Sequence, residues 1–119
     1  MEASAASLIA TKCLLGLATD AERERLAAHT RSEALKVAKW CVKNGRLAPA
    51  DVEDVAQDAT IRAMSHVSSW RRQPKDRATS WNTYLNAITL HVVADYGRRS
   101  VREQKLLNEL AGEIDNEYY

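Results

Sequence analysis

Several features that define other protein classes are absent from this sequence. No apolar run approaches the roughly 18 residues that a membrane span needs, and the N-terminus lacks the basic segment that opens a signal peptide. There are only two cysteines, Cys13 and Cys41, and they are far apart without a CxxC spacing. A metal or redox motif is therefore not expected. We predict a cytoplasmic protein without membrane association, in which both cysteines are buried, reduced thiols.

Motifs of catalytic chemistry are missing as well. The sequence has no glycine-rich phosphate loop and no nucleophile elbow. Its three histidines, His29, His66 and His91, are too scattered for the spacing of a metal site. We predict that the chain is not an enzyme and that it binds neither a metal nor a cofactor.

The residues that are present indicate a helical protein. Hydrophobic residues make up 45% and charged residues 28% of the 119 positions, as in an ordinary soluble globular protein of one domain. Apolar residues recur with a period near 3.6 and show no strand-like alternation. We predict an all-α fold, a compact bundle of four to five helices that occupies residues 1–119 as a single domain.

Local signals predict where the first helices begin and end. A short N-terminal helix should end near Gly16. Thr19 and Glu22 form a capping box, so the next helix is expected to run from Asp20 to about Lys43. The pair Asn44-Gly45 is typical of a helix C-terminus and should stop it there.

A further helix should follow Pro49 and Asp51, and Trp70 is expected to pack over its end. Ser68 to Thr79 is a loop by composition, and Ser80 can cap the helix that follows. The apolar face of the first of these helices is predicted to consist of Val52, Val55, Ala56, Ala59, Ala63 and Val67.

The sequence around Gly97 predicts a break. A mid-helix glycine costs about 1 kcal/mol relative to alanine, and Ser100 to Glu103 has the pattern of a second capping box. We therefore expect a separate last helix whose residues Leu106, Leu107 and Leu110 fold back onto the N-terminal helix. The acidic tail would then lie near the preceding arginines and screen them.

Charge is distributed unevenly along the chain. The net charge is −1 over residues 1–61, +6 over residues 62–102 and −4 over residues 103–119. A basic segment between two acidic ones is typical of a module that meets a polyanion with one part and another partner with the rest. The alternative is a solvated surface of uneven charge.

Two helical stripes carry the candidate functional residues. Asp54, Gln57, Asp58 and Ile61 fall at i, i+3, i+4 and i+7 and so share one face. They could be helix-start carboxylates, which the helix dipole favours, although Asp51 and Glu53 already occupy the first turn. The second stripe consists of Trp81, Tyr84, Ile88 and His91, followed by Arg98, Arg99 and Arg102.

The second stripe also has two interpretations. Aromatic residues at helical spacing are usually core residues. Basic residues flank Trp81 and Tyr84 on both sides, however, and stacking of an unpaired base on an aromatic ring is worth roughly 1–3 kcal/mol. The three arginines are suited to contact phosphates.

Both stripes resemble one family. The block DVEDVAQDATIRAM is similar to region 2.2 of bacterial sigma factors, and SWNTYLNAITLHVVADYGRR is similar to regions 2.3 and 2.4 of the extracytoplasmic-function branch. The likeness covers roughly residues 30–102. It leaves residues 1–29 as an N-terminal helical extension and residues 103–119 as an acidic C-terminal helix and tail.

The resemblance implies two sets of site residues. Region 2.2 of the family docks on the clamp helices of RNA polymerase core, and regions 2.3 and 2.4 contact the melted, mainly single-stranded promoter minus-ten element. The implied polymerase-binding residues are Asp54, Gln57, Asp58 and Ile61. The implied DNA-binding residues are Trp81, Tyr84, His91, Arg98 and Arg99. The local basic charge adds Arg102, Arg71 and Arg72 to the predicted DNA-binding residues.

The sequence departs from the family pattern at three points. Gly97 stands where most copies have a large aliphatic residue, and His91 replaces a frequent asparagine. The sequence ends at Tyr119 without the helix-turn-helix domain that reads the minus-thirty-five element. The resemblance therefore predicts a region-2-only, sigma-like transcription factor, suited to a phage or mobile element, for which an accessory protein supplies upstream DNA contacts.

Two other functions remain open. A regulator that retains the docking stripe but not promoter recognition would inhibit transcription by competing with the host sigma factor, and the Gly97 break and the acidic tail favour it. A pure protein-interaction module is the third interpretation, because the segment LLGLATDAERERLAAH loosely resembles the first helix of some anti-sigma proteins.

Overall fold

The computed structural model describes residues 1–67, Trp70 and residues 80–118, with side chains as far as Gly112. Within these ranges it contains four α-helices, one 3-10 turn and no strand, which confirms the predicted all-α fold. The elements are α1 (Ala3–Leu14), α2 (Asp20–Lys43), the 3-10 turn (Pro49–Asp51), α3 (Val52–Ser65) and α4 (Trp81–Tyr118).

Helix α2 has the limits that its capping signals predict. The Thr19 hydroxyl accepts a hydrogen bond from the Glu22 amide at 3.1 Å, and the Glu22 carboxylate accepts one from the Thr19 amide at 3.1 Å. Lys12 of α1 also donates to Glu22 at 2.8 Å. The hydrogen bonds from Lys12 and Thr19 lower the pKa of Glu22 to about 2. The capping box therefore also ties α1 to the start of α2.

The C-terminus of α2 is closed by a Schellman motif. Gly45 adopts a φ of 70°, a left-handed conformation that favours glycine. The Gly45 amide donates to the Val42 carbonyl at 3.1 Å, and the Arg46 amide donates to the Cys41 carbonyl at 2.9 Å. These bonds satisfy carbonyls that the helix end leaves free, so the predicted stop at Asn44-Gly45 is confirmed.

Replacing Thr19 with alanine tests the capping box. The substitution removes the acceptor for the Glu22 amide and should lower the free energy of unfolding by about 1 kcal/mol. Urea denaturation followed by circular dichroism measures the change. Ser32→Ala is the matched control, because Ser32 is an exposed residue within α2 and its loss should not destabilise the protein. Equal stability of the two variants would contradict a stabilising cap.

Helix α3 packs closely because the residues of its inner face are small. Val55, Ala56, Ala59 and Ala63 are all fully buried, as predicted, while Val52 at its start and Val67 just beyond its end are half-buried. Alanine side chains let the backbones of α2 and α3 approach one another. The opposite face of α3 is thereby fixed toward solvent.

Trp81 is the largest fully buried residue and lies at the centre of the bundle. Its indole Nε1 donates to the Thr30 hydroxyl at 2.9 Å, and its backbone amide donates to the Ser7 hydroxyl at 3.0 Å. Trp70 packs edge-on against it at 5.7 Å between ring centroids, so the predicted core position of Trp70 is confirmed. The first turn of α4 is therefore bonded to both α1 and α2.

The predicted break at Gly97 is wrong. Helix α4 continues through Gly97 and Ser100 as one helix of 38 residues, so Ser100 caps no new helix. Leu106, Leu107 and Leu110 remain exposed instead of folding back. A glycine costs only about 1 kcal/mol within a helix, which does not outweigh the hydrogen bonds of the flanking turns. The proposed screening of the arginines by a folded-back tail has no basis in this geometry.

Candidate functional site

The exposed face of α3 carries the first candidate stripe. Asp54 and Gln57 are exposed, and the Ile61 side chain is 55% exposed. Val55 and Ala59, which lie on the other side of the helix, are fully buried, so the predicted rotation of the helix is confirmed. An aliphatic side chain held in water beside a carboxylate and an amide is a suitable surface for docking a protein.

Asp58 differs from the other members of the stripe, because it is half-buried. Its carboxylate accepts a hydrogen bond from the Tyr96 hydroxyl of α4 at 2.8 Å. Burial, together with this bond, raises the pKa of Tyr96. Asp58 was predicted to lie on an exposed stripe, and the structure shows that it also joins α3 to α4.

Tyr96 extends this link to a candidate DNA-binding residue. The Arg99 guanidinium lies over the Tyr96 ring, 5.1 Å from its centroid. Asp58, Tyr96 and Arg99 therefore form a continuous chain of contacts. It runs from the face of α3 to the exposed arginines of α4.

A second contact between α3 and α4 involves Asp95. Arg62 of α3 donates to the Asp95 carboxylate at 3.1 Å, and Arg98 of α4 donates to the other carboxylate oxygen. These two hydrogen bonds lower the pKa of Asp95. Arg98 is exposed yet already has a carboxylate partner. Arg62 is a candidate site residue that the sequence analysis did not identify.

Trp81 and Tyr84, for which the sequence allowed either a core or a DNA-facing position, are both core residues. Trp81 is 0% and Tyr84 6% exposed. The rings pack against each other at 5.4 Å between centroids, and the Tyr84 hydroxyl donates to the His66 carbonyl at 2.8 Å. Burial raises the pKa of Tyr84. Neither ring presents a free face for a base, and both support the surface from within.

His91 is exposed and borders a shallow cavity between α3 and α4. The cavity measures about 300 Å³ and is lined by Arg62, His66, Tyr84, Ile88 and His91. It brings one cation and two imidazoles together beside the aliphatic side chain of Ile88. His66 and Arg62 line this cavity because α3 packs against α4. The spacing of residues in the sequence does not indicate this.

The remaining candidate residues are arginines. Arg98, Arg99 and Arg102 are exposed on α4, where their guanidinium groups can meet phosphates. Arg71 and Arg72 lie outside the described residues, so their assignment stays a prediction. Among the described residues, no group of three or more histidine, cysteine or acidic side chains is placed to hold a metal ion.

One exposed aromatic residue was missed by the sequence analysis. Trp40 lies on the outer face of α2 beside Lys36, Lys39 and Lys43. The spacing i, i+3, i+4 and i+7 of these four residues could have identified the face, because it is the same pattern that was used for α3 and α4. In the part of the chain that the structure describes, no helix is long and apolar enough to cross a membrane.

Comparison with known proteins identifies the family. Residues 26–103 match the family model of sigma-70 region 2. No curated protein and no solved structure gives a significant match. Because the family model covers more than half of the chain and includes both stripes, the chain belongs to the sigma-70 region 2 family.

Proposed function

We propose that this member of the sigma-70 region 2 family docks on the core of bacterial RNA polymerase through Asp54, Gln57, Asp58 and Ile61 of α3. The family implies polymerase binding and promoter DNA interaction. The assignment of docking to the α3 stripe rests on the exposed Ile61. Ile61 lies one turn beyond the exposed Gln57, on a helix whose opposite side is buried in the core.

The composition of this stripe suits a small docking surface. Binding energy in protein interfaces is concentrated in a few residues near the centre, surrounded by contacts that exclude water. Ile61 supplies an apolar contact at the C-terminal end of the stripe, and Asp54 and Gln57 supply polar contacts on the preceding turns. Charged rim residues also guide the orientation of the two partners.

Helix α4 is proposed to contact the melted minus-ten region of the promoter. Arg98, Arg99 and Arg102 would bind the phosphates of the single strand, with His91 and the cavity beside it receiving a base. Trp81 and Tyr84 act in this proposal as the buried support of that surface. The isolated chain should bind single-stranded DNA with a dissociation constant on the order of 10⁻⁵ M or weaker at physiological salt.

Docking makes such weak DNA binding sufficient. When the chain is held on the polymerase, its encounter with the opened strand becomes effectively intramolecular, at a high local concentration. The contacts from Asp58 through Tyr96 to Arg99 would keep the two surfaces in a fixed relation. A separate accessory protein is proposed to supply upstream DNA contacts.

A polymerase-binding inhibitor without promoter recognition is the second candidate. The burial of Trp81 and Tyr84 favours it, since an unpaired base finds no exposed ring at these positions. The continuous α4 removes the helix break that would also have supported it. Transcription from a promoter with a pre-opened minus-ten region separates the two: the sigma-like factor yields a transcript with core polymerase, and the inhibitor yields none but displaces the host sigma factor.

Replacing Asp95 with asparagine tests the role of the α4 arginines. The change removes the negative charge from the Asp95 position and weakens its contacts with Arg98 and Arg62. Affinity for single-stranded DNA should therefore increase about two- to threefold at low salt. Fluorescence anisotropy of a labelled oligonucleotide measures the effect, which should vanish at high salt. Glu24→Gln, which removes an exposed charge on α2, is the control. An increase of equal size in both variants would contradict a specific role for Asp95.

A further inference from the structure

The exposed face in the C-terminal half of α2 combines cations with one accessible indole. Lys36, Lys39, Trp40 and Lys43 share this face and are all exposed, and Lys36 also pairs with the Glu33 carboxylate at 3.0 Å. Trp40 is 50% exposed, whereas Trp70 is 8% and Trp81 0% exposed. A single exposed aromatic ring is common on protein surfaces. This ring lies among cations on one helix face, and an aromatic ring within a basic surface is the combination that binds single-stranded nucleic acid.

The core fixes the direction in which this face points. Ala34, Ala38 and Cys41 are fully buried on the other side of the same turns. Rotation of α2 to bury Trp40 would expose these residues. The lysines and the indole are consequently presented together on a rigid helix.

Arg46 completes the face from the turn that follows α2. The Schellman motif at Gly45 directs the chain back, and the Arg46 guanidinium lies 5.7 Å from the centroid of the Trp40 ring. Asn44 reinforces the turn by donating from its side chain to the Trp40 carbonyl at 2.8 Å. One surface of the indole is thus supported by a cation, and half of the residue remains accessible.

The same turn adjoins the arginine-bearing part of α4. A shallow cavity of about 360 Å³ is lined by Arg46 together with Tyr96, Gly97, Ser100 and Val101 of α4. Asp51 also lines this cavity. Gly97 and Val101 line a second depression as well, together with Arg98 and Arg102, so the turn that carries Arg46 adjoins the part of α4 that carries these two arginines.

We propose that the face formed by Lys36, Lys39, Trp40, Lys43 and Arg46 is a second binding site for single-stranded DNA. One base stacks on the accessible side of Trp40, and the flanking phosphates lie on the cations around it. Stacking requires an unpaired base, and the cations are suited to bind the phosphates of a polyanion. The site would bind the continuation of the strand that the α4 arginines hold, so in this respect it extends the proposed function.

The site can be measured with a thymidine oligonucleotide and the isolated full-length chain. Because Trp70 and Trp81 are buried, Trp40 should dominate the change in tryptophan fluorescence, and stacking should quench it saturably at low salt. Trp40→Ala should weaken binding about five- to tenfold, measured by anisotropy of a labelled oligonucleotide. Trp40→Phe should retain most of the affinity because phenylalanine still presents an aromatic ring.

Charge and strandedness supply the controls. Lys39→Glu should weaken binding more than Arg25→Glu, which makes the same change of charge at an exposed position in the N-terminal half of α2. A duplex of the same sequence should not quench Trp40. Three results would overturn the proposed site. The first is tighter binding of the corresponding RNA oligonucleotide, and the second is equal DNA affinity of Trp40→Ala and wild type. The third is an equal loss of DNA affinity from the two charge reversals.

A polymerase-binding measurement separates this site from the proposed function. Trp40→Ala should bind core polymerase as wild type does, because Trp40 lies on α2 and outside the α3 stripe. If the chain fails to bind polymerase but Trp40 is still quenched by DNA, the proposed function fails and the DNA site stands. If the chain binds polymerase but Trp40→Ala binds DNA with wild-type affinity, only the proposed DNA site is overturned.

Discussion

The double variant Asp54→Arg with Ile61→Ala should lose affinity for RNA polymerase core by about 100-fold, corresponding to about 3 kcal/mol. The first change reverses the charge at the N-terminal end of the α3 stripe, and the second removes the apolar side chain at its C-terminal end. Both residues are exposed, so the melting temperature should change little. Binding is measured by titrating fluorescently labelled chain with core polymerase.

The matched control for this variant is Glu24→Arg with Leu8→Ala. Glu24 is exposed on α2 and Leu8 is 60% exposed on α1, so the control makes a similar change in charge and apolar surface away from α3. It should bind as wild type does. Asp58 is unsuitable for this test, because its hydrogen bond to Tyr96 would mix docking with the contact between α3 and α4. Equal binding by the double variant and its control would refute docking through this stripe.

Trp81→Ala should cost about 3–5 kcal/mol of unfolding free energy. The substitution leaves a cavity at the centre of the bundle, and it removes the hydrogen-bond donor to Thr30 as well as the ring contact with Trp70. Small domains have about 5–15 kcal/mol in total, so much of the stability would disappear. Urea denaturation monitored by circular dichroism gives the change.

Two further variants distinguish a buried from a DNA-facing indole. Trp81→Phe should be less destabilising than Trp81→Ala, because it retains most of the ring volume and loses the hydrogen bond to Thr30. Trp40→Ala should change stability by no more than about 0.5 kcal/mol, as expected at an exposed position. A Trp81→Ala protein that is as stable as wild type but no longer binds DNA would show that the indole faces the nucleic acid.

Local chemistry was sufficient to predict the helix limits where capping signals are strong. The limits of α2 follow from Thr19 and Glu22 at one end and from Gly45 at the other. The predicted helix break at Gly97 was wrong, because an isolated glycine does not end a helix when the residues on both sides form helical hydrogen bonds. The distinction between these glycines is the left-handed φ of Gly45, which is a property of the folded chain.

Periodicity defined the faces of the helices, but it did not always identify the face that is buried. On α3 the small residues Ala59 and Ala63 indicated the inner face correctly. On α4 the stripe from Trp81 and Tyr84 continues through Leu85 to the buried Val92, which makes it a core stripe. Flanking basic residues favoured the other interpretation, although those that the structure describes, Arg98, Arg99 and Arg102, lie on a later part of the helix.

Contacts between helices could not be predicted from a single sequence. The hydrogen bond from Tyr96 to Asp58 and the ion pair of Arg62 with Asp95 join residues that are 38 and 33 positions apart. Nothing in the local pattern of either helix specifies its partner. The cavity beside His91 is likewise a consequence of how α3 and α4 pack.

The central claim is that the chain docks on RNA polymerase through α3, and equilibrium titration of the labelled chain with core polymerase tests it most directly. A saturable one-to-one complex is predicted, with a dissociation constant on the order of 10⁻⁷ M. Unlabelled wild type should displace the labelled chain from this complex, and the Asp54→Arg, Ile61→Ala variant should not. Absence of a saturable complex at polymerase concentrations on the order of 10⁻⁵ M, or equal displacement by both competitors, would contradict it.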